Sequence, residues 1–309
     1  MKSIVCKVLF NHVPKHSFMS TCCNQELLRF LRSDMEEFLR QYKGLDVFYY
    51  HQPGNAGDSL IAAATYQAFS RFKVRIKYIT HFTPVIDGSV VFLGGGGNFV
   101  PLYHDIRYAF KKLLSRAEKI ILLPHTIRGN EDILLMLDGR CILFCRDVES
   151  FEHVRKVNPF LDVRLAHDMA FHLVVEELLN DQKLMRAGQT ILNNKLREVG
   201  LSKEIIQSWP SIRMLRMDLE STHSHSYTDV DISNLLAIGV DPLNAPIAAW
   251  CFLTSISIAH LVYTDRLHVG IAAALLDKEC IMRDNFYGKN SAVCRHSLTG
   301  FPNLRFAVR

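Results

Sequence analysis

Two apolar runs flank an amphipathic segment in residues 89–127, SVVFLGGGGNFVPLYHDIRYAFKKLLSRAEKIILLPHTI. Residues 89–97 and 119–127 are rich in β-branched and aromatic residues, which is typical of buried strands. Residues 103–118 repeat apolar side chains at helical spacing, which predicts an amphipathic helix. A strand, a helix and a second strand in this order favour a right-handed crossover between parallel strands. This stretch therefore predicts an α/β fold.

The same alternation continues on both sides of this stretch. Upstream, strands are predicted at 46–51 and 74–80, with a helix at 58–72 between them. Downstream, a strand at 141–147 leads into a helix at 148–157. Repeated strand and helix units of this kind predict a parallel sheet that helices cover on both faces.

A second, smaller series follows a mostly polar helical segment. Strands are predicted within 211–220, 257–266 and 279–285, and a helix of small residues fills 267–278. At the other end of the chain, residues 24–42 predict an amphipathic helix that packs on the first unit. The sequence thus indicates two α/β units of unequal size.

Composition narrows the class of protein. Of 309 residues, 49% are hydrophobic and 22% are charged, which is ordinary for a globular protein. The net charge of +5 suits an anionic small ligand and is too small for the dense basic stripe of a nucleic-acid binder, so no nucleic-acid partner is predicted. The beginning of the chain lacks the apolar core of a signal peptide, and no apolar run reaches the roughly 18 residues that a transmembrane helix needs. We expect a cytoplasmic protein, with a peripheral contact to the inner membrane face left open.

The eight cysteines predict buried thiols rather than a metal site. No Cys-x-x-Cys pair occurs, and Cys141 and Cys145 lie on a predicted strand without a second ligand pair. The histidines of the polar stretch 223–226 favour a mobile loop over a metal site. No metal is therefore predicted.

Functional candidates in the first unit stand where predicted strands end, because ligands of open α/β sheets bind at the carboxyl ends of the strands. In HQPGNAGDSLI, residues 51–61, Gly54 and Gly57 allow tight turning, and Asp58 or Ser59 is expected to cap a helix whose N-terminus favours an anion. A plain turn and the floor of a ligand site explain this motif equally well, and Asn55 and Asp58 are its candidate site residues.

Four consecutive glycines in FLGGGGNF, residues 92–99, are costly in backbone entropy and favour a site where a ligand approaches the main chain. The candidates are Gly95, Gly96 and Asn98. The spacing matches neither the dinucleotide fingerprint nor the phosphate loop of nucleotide-binding proteins.

Two further strand ends carry ionisable candidates. His125 follows Pro124 and suits acid–base chemistry, although a lone histidine is more often structural. Arg146 suits a carboxylate or a phosphate, and its alternative role is a salt bridge with Asp147 or Glu149.

The most specific pattern of candidate binding residues is in the second unit. Arg266 and His268 stand at a strand-to-helix junction, with Leu267 between them, and form a natural clamp for an anion. Arg216 at another predicted strand end and Lys289 after a glycine add positive charge.

The order of these motifs resembles the polysaccharide pyruvyl transferase family. Eight motifs occur in the family's order from about residue 48 to about residue 298: GNAGDSLI, FLGGGGNF, LPHTI, CRDVES, HDMAF, LRMDLE, TDRLHVGIAAAL and YGKNS. Each is weak alone, whereas eight in order are specific.

The resemblance implies two Rossmann-like domains that face each other across a cleft, as in glycosyltransferases of the B type. We place the acceptor-side domain at 1–172 and the donor-side domain at 173–309. The resemblance also implies a reaction in which pyruvate moves from phosphoenolpyruvate to two hydroxyls of one sugar. The product is a cyclic ketal in a capsule or exopolysaccharide. No cofactor is implied, because phosphoenolpyruvate is a substrate.

The resemblance also assigns roles to residues. The run Arg266, Leu267 and His268 matches the family's phosphoenolpyruvate-binding motif, Arg146 matches its strand-end arginine, and His125 is placed near the acceptor sugar. We expect His268 to be the general acid or the phosphate anchor, and Asp58 or His125 to handle an acceptor hydroxyl. The acceptor is a sugar, with a lipid-linked oligosaccharide left open.

Two other functions stay open from the sequence alone. One is a glycosyltransferase of the same architecture that uses a sugar nucleotide, although no acidic residue is clearly placed for a ribose. The other is a glycan-binding protein without catalytic activity.

Overall fold

A computed structural model describes residues 15–80, 83, 87–222 and 227–307, with side chains from residue 24 onward. The polar stretch 223–226 therefore lies outside the described residues. The strands are β1 Asp46–Tyr50, β2 Arg75–Tyr78, β3 Val90–Leu93, β4 Gly96–Phe99, β5 Lys119–Ile127, β6 Cys141–Cys145, β7 Asp162–Leu165, β8 Ile212–Met214, β9 Leu261–Thr264, β10 Glu279–Met282 and β11 Leu304–Phe306.

Helices connect most of these strands. They are α1 Lys15–Arg40, α2 Ala56–Arg71, α3 Asp105–Leu113, α4 Glu131–Met136, α5 Val148–Val157, α6 Val175–Leu179, α7 Gln182–Glu198, α8 Lys203–Ser208, α9 Ile232–Leu235, α10 Asn244–Ser257, α11 Leu267–Leu275 and α12 Lys289–Val293. A 3₁₀ turn spans Met169–His172, and a π-helical turn spans Cys294–Leu298. The α/β class predicted from the sequence is confirmed.

The larger sheet is parallel and has the strand order β2-β1-β3-β5-β6-β7, with the short β4 paired to β5. From β1 the chain moves outward to β2 and then returns to the other side of β1 at β3. This reversal opens a crevice at the carboxyl ends of β1 and β3, which is where ligands bind in doubly wound sheets. The loops that follow these two strands are the two glycine-rich motifs of the sequence.

A break in β5 corrects one expectation about His125. The strand runs to Ile127, as the predicted strand 119–127 does, so His125 lies within the strand and not at its end. The register of β5 with β6 shifts between Leu122 and His125. Proline cannot donate to the ladder, so a register shift is the place where a central strand tolerates it. Beyond the shift, β5 pairs with β4, with Gly96 opposite His125. The predicted strand 89–97 is accordingly two strands, β3 and β4.

The smaller sheet is parallel, in the order β11-β10-β9-β8. Its strands follow one another in a single direction, so right-handed crossovers place their connecting helices on one face. Helix α11 contacts β9, β10 and β11 on that face. Burial alternates along β9, where Val262 and Thr264 are buried while Leu261 and Tyr263 are half-buried. The sheet therefore has one covered face and one partly exposed face.

One hydrophobic cluster runs through both halves of the chain. It joins Phe38 of α1, Phe92 of β3 and Phe144 of β6 to Phe252 of α10 and Met282 of β10. Phe38 packs edge-on against both Phe92 and Phe144, which confirms that the predicted N-terminal helix covers the first sheet. The domain boundary at residue 172 stays a prediction.

Candidate active site

A polar cavity of about 160 Å³ opens where the carboxyl ends of strands from both sheets meet. Nine of the twelve predicted site residues line it, namely Asn55, Asp58, Asn98, Arg146, Arg216, Arg266, Leu267, His268 and Lys289. These residues are spread over more than 230 positions of the sequence, and the fold brings them together around one cavity.

The first turn of α2 forms one side of the cavity. Asn55 is the N-cap, and its side-chain oxygen accepts a hydrogen bond from the Gly57 amide at 2.8 Å. In the reciprocal hydrogen bond, the carboxylate of Asp58 accepts from the backbone amide of Asn55 at 2.8 Å. This is a capping box, so the expectation that Asp58 or Ser59 is the cap was wrong. The motif at residues 51–61 therefore starts helix α2 and also lines the cavity.

Gly54 makes room for the Asp58 carboxylate. A Cβ atom on Gly54 would lie 1.9 Å from Asp58 Oδ2. Burial raises the pKa of Asp58, while the charge of His268 acts in the opposite direction. A carboxyl group with a raised pKa is suited to accept and return a proton.

The first turn of α11 faces α2 across the cavity. Arg266 is the N-cap residue, and His268 stands in the first turn, with 13% of its side chain exposed. A Cβ on Gly57 would lie 2.6 Å from His268 Nδ1, so only a glycine in α2 lets the two helix starts approach this closely. Two helix N-termini thus converge on the cavity, and each favours an anion.

Arg146 and Lys289 meet over Gly97, the glycine of the four that lines the cavity. A Cβ on Gly97 would lie 2.6 Å from Arg146 Nη2 and 3.6 Å from Lys289 Nζ. The absence of a side chain therefore lets a guanidinium and an ammonium group lie close to the main chain at this point. Gly97 was absent from the predicted residues, whereas Gly95 and Gly96 lie behind the wall, buried against Pro124 and His125.

Asp168 joins the two sides of the site; the sequence motif HDMAF contains it, but no role was predicted for it. The buried carboxylate of Asp168 contacts Arg146 Nη1 at 2.5 Å and His268 Nε2 at 3.4 Å, both through Oδ2. Burial alone would raise the pKa of Asp168, but the charge of Arg146 and the hydrogen bond from His268 hold it well below the usual range.

The alternative role predicted for Arg146 was wrong. Asp147 pairs with Arg128 at 2.9 Å, and Glu149 pairs with Arg295.

Carboxylates hold the two arginines of the smaller sheet. Arg266 donates to both oxygens of buried Asp231, at 3.1 and 2.5 Å. Asp218, with 30% of its side chain exposed, bridges Arg266 Nη1 at 2.8 Å and Arg216 Nε at 2.9 Å. Asp231 therefore braces Arg266 from behind, whereas Asp218 lies on the cavity side.

Glu220 fixes the remaining cation. Its carboxylate accepts from Lys289 Nζ, the Tyr103 hydroxyl and the Asn285 amide, each at 2.9 Å, and pairs with Arg216. Burial acts to raise the pKa of Glu220, yet the charges of Lys289 and Arg216 lower it far below the usual range. Tyr103 and Glu220 line the cavity and were absent from the predicted site.

His125 lies behind the cavity wall. It is fully buried, and its Nε2 lies 2.9 Å from Asn98 Oδ1. Burial, assisted by the charge of Arg146, lowers the pKa of His125 well below the ordinary value, which favours the neutral ring. Asn98 also donates to Gln52 at 3.3 Å, so His125 and Gln52 fix the amide of Asn98 from both ends.

The described part of the chain has neither a cluster of metal ligands nor a membrane-spanning helix. Residues 15–80, 83, 87–222 and 227–307 contain no group of three or more His, Cys, Asp or Glu side chains placed to hold a metal ion. Within the same ranges, no helix combines the length and the apolar character needed to cross a bilayer. The cysteines at 141, 145, 251, 280 and 294 are buried free thiols.

Comparison with known proteins identifies a family and related solved structures. Residues 55–285 match the family model of the polysaccharide pyruvyl transferases. The crystal structure of a functionally uncharacterised protein from Klebsiella pneumoniae is similar, with a TM-score of 0.71 and 26% sequence identity over 90% of this chain and 99% of that one. No curated protein matches the chain.

Proposed function

Because the chain belongs to the polysaccharide pyruvyl transferase family, we propose that it transfers pyruvate from phosphoenolpyruvate to a sugar in the synthesis of a capsule or exopolysaccharide. Two hydroxyl oxygens of one sugar bond to the enol carbon, and the bond from that carbon to the phosphate oxygen breaks. The two hydroxyl groups lose two protons in total. One proton is added to the methylene carbon, which becomes a methyl group, and the other is added to the departing phosphate. The product is a cyclic ketal.

The observation that carries this proposal is the meeting of two cation pairs with the start of α11 in one cavity. Phosphoenolpyruvate has a carboxylate and a phosphate, and each requires cationic or N–H partners. Arg146 and Lys289, which both lie beside Gly97 and line the cavity, suit one anionic group. Arg266 and Arg216, both in contact with Asp218, suit the other.

Two groups suit proton transfer in the proposed reaction. His268, beside the cations and oriented by Asp168, protonates the methylene carbon or the departing phosphate. Asp58, with its raised pKa, accepts a proton from an acceptor hydroxyl. In this scheme His125 acts through Asn98, which it orients toward the acceptor.

Turnover with phosphoenolpyruvate tests the proposed function. The protein is incubated with phosphoenolpyruvate and a panel of galactosides, glucosides, mannosides and N-acetylmannosaminides, some of them lipid-linked. We expect phosphate release and a product heavier by one pyruvyl ketal, measured by mass spectrometry. Release of a nucleoside diphosphate from a sugar nucleotide, without reaction of phosphoenolpyruvate, would instead support a glycosyltransferase.

The two carboxylates on Arg266 are expected to affect donor binding in opposite directions. Asp218→Asn removes a negative charge from the cavity side and should tighten binding of phosphoenolpyruvate by about tenfold, because like charges a few ångströms apart repel strongly. Asp231→Asn removes the buried brace of Arg266 and should weaken binding by about as much. Calorimetric titration measures both dissociation constants. A shift of both variants in the same direction would contradict these separate roles.

A further inference from the structure

The partly exposed face of the smaller sheet carries an aromatic groove. Its residues surround a second cavity, of about 410 Å³, and are Trp209, Ser211, Arg213, Tyr227, Asp229 and Tyr263. Arg213 of β8 and Tyr263 of β9 are neighbours in register, so they project from the same face.

An ion pair forms the polar part of this groove. Arg213 donates to Asp229 through Nη2 at 2.6 Å and through Nε at 3.2 Å. Tyr227 covers the pair, with the guanidinium carbon of Arg213 4.7 Å from its ring centroid. Even so, Tyr227 remains 43% exposed. A planar apolar surface therefore stands next to a fixed charged pair.

This composition suits a sugar ring better than an aliphatic chain or a simple anion. Aromatic rings pack against the apolar C–H faces of a pyranose, while its hydroxyls donate to a carboxylate and accept from a guanidinium. A simple anion would meet the carboxylate of Asp229 beside the arginine, and an aliphatic chain would bury the ion pair without replacing its water.

A short segment connects the groove to the active site. Asp229 binds Arg213 in the groove, and two residues later Asp231 binds Arg266 in the cavity. Arg213 and Arg216 are three residues apart, which corresponds to about 10 Å along an extended chain. An oligosaccharide of a few units spans that distance.

We propose that the aromatic groove is a second glycan-binding subsite, which holds a part of the acceptor chain distant from the unit that reacts. This inference rests on the proposed function, because it requires a polymeric sugar acceptor. The groove then sets the preference of the protein for longer acceptors, while the cavity carries the chemistry.

Direct binding without phosphoenolpyruvate tests the groove. An immobilised panel of one- to six-unit saccharides, with terminal galactose, glucose, mannose or N-acetylmannosamine, is probed with the full chain. We expect at least one saccharide of four or more units to bind, and Tyr227→Ala to weaken that binding by about tenfold, the loss expected for one aromatic contact. Tyr227→Trp should preserve it, because the flat ring remains.

Tyr78→Ala is the matched control. Tyr78 is also 43% exposed, but it lies on β2 at the far edge of the larger sheet, so its removal should leave binding unchanged. The groove proposal is overturned if the wild type binds no member of the panel, or if Tyr227→Ala and Tyr78→Ala bind equally. Because the measurement needs no turnover, absence of phosphate release would count against the proposed reaction alone.

Discussion

Replacing His268 with Ala is expected to lower kcat by roughly 10²–10⁴-fold, the usual contribution of a positioned general acid. His268 lines the cavity beside Arg266 and contacts Asp168 at 3.4 Å. Phosphoenolpyruvate should still bind within a few-fold of the wild-type dissociation constant, because Arg146, Arg266 and Lys289 remain. Phosphate release under saturating donor and acceptor measures kcat, and calorimetric titration measures binding.

The split between these two quantities distinguishes the two roles expected of His268. A residue that only anchors phosphate would, when removed, raise the dissociation constant and leave kcat nearly unchanged. His268→Gln sharpens the test, since the amide can still donate a hydrogen bond but cannot act as an acid. His260→Ala is the control: this exposed histidine contacts only the Gln207 carbonyl among the bonds described, and its loss should change neither quantity.

The sequence predicted the larger elements well because their signals are local. The strand 119–127 and the helix 148–157 match β5 and α5 at both ends. Each has a strong pattern over nine or more residues, bounded by charged or turn-forming residues. By contrast, the four-residue β7 has the mixed sequence DVRL, and only its pairing with β6 makes it a strand. Short edge strands depend on tertiary contacts that no local pattern encodes.

The site residues also divide into those that the sequence could predict and those that depend on tertiary contacts. Strand-end residues such as Arg146, Arg266 and His268 could be found because topology places carboxyl ends together. Asp168, although part of the motif HDMAF, was given no role because β7, the strand before it, was not predicted. His125 was expected to be accessible at a strand end, because the sequence gives no sign that β4 pairs beyond the shift in β5 and covers it. Sequence thus indicates which loops meet, whereas pairing decides which side chains reach the cavity.

Asp168→Asn is expected to have the largest effect on stability. The carboxylate is fully buried and pairs with Arg146, of which 1% of the side chain is exposed. Removing one partner of a buried pair leaves the other charge uncompensated and costs about 3–5 kcal/mol. The substitution also frees Arg146 and His268 from their shared anchor, so turnover should fall with stability. Chemical denaturation measures the free energy of unfolding.

The dependence of this effect on pH follows from the lowered pKa of Asp168. An unfolded aspartate has a pKa of about 3.9. Since the folded pKa lies below that value, the carboxylate contributes its full stabilisation above the unfolded pKa and loses it as pH falls toward the folded pKa. The difference in unfolding free energy between wild type and Asp168→Asn should therefore be constant above about pH 5 and shrink below about pH 4.

Asp162→Asn separates this buried pair from an ordinary surface pair. Asp162 contacts Arg164 at 2.7 Å, but both side chains are at least 40% exposed, so water and salt already screen the interaction. Its loss should cost less than about 1 kcal/mol. Equal, small losses in both variants would mean that Arg146 finds another partner, and Asp168 would then not be the link between Arg146 and His268. A large loss confined to Asp168→Asn would support that link, since burial is the main difference between the two pairs.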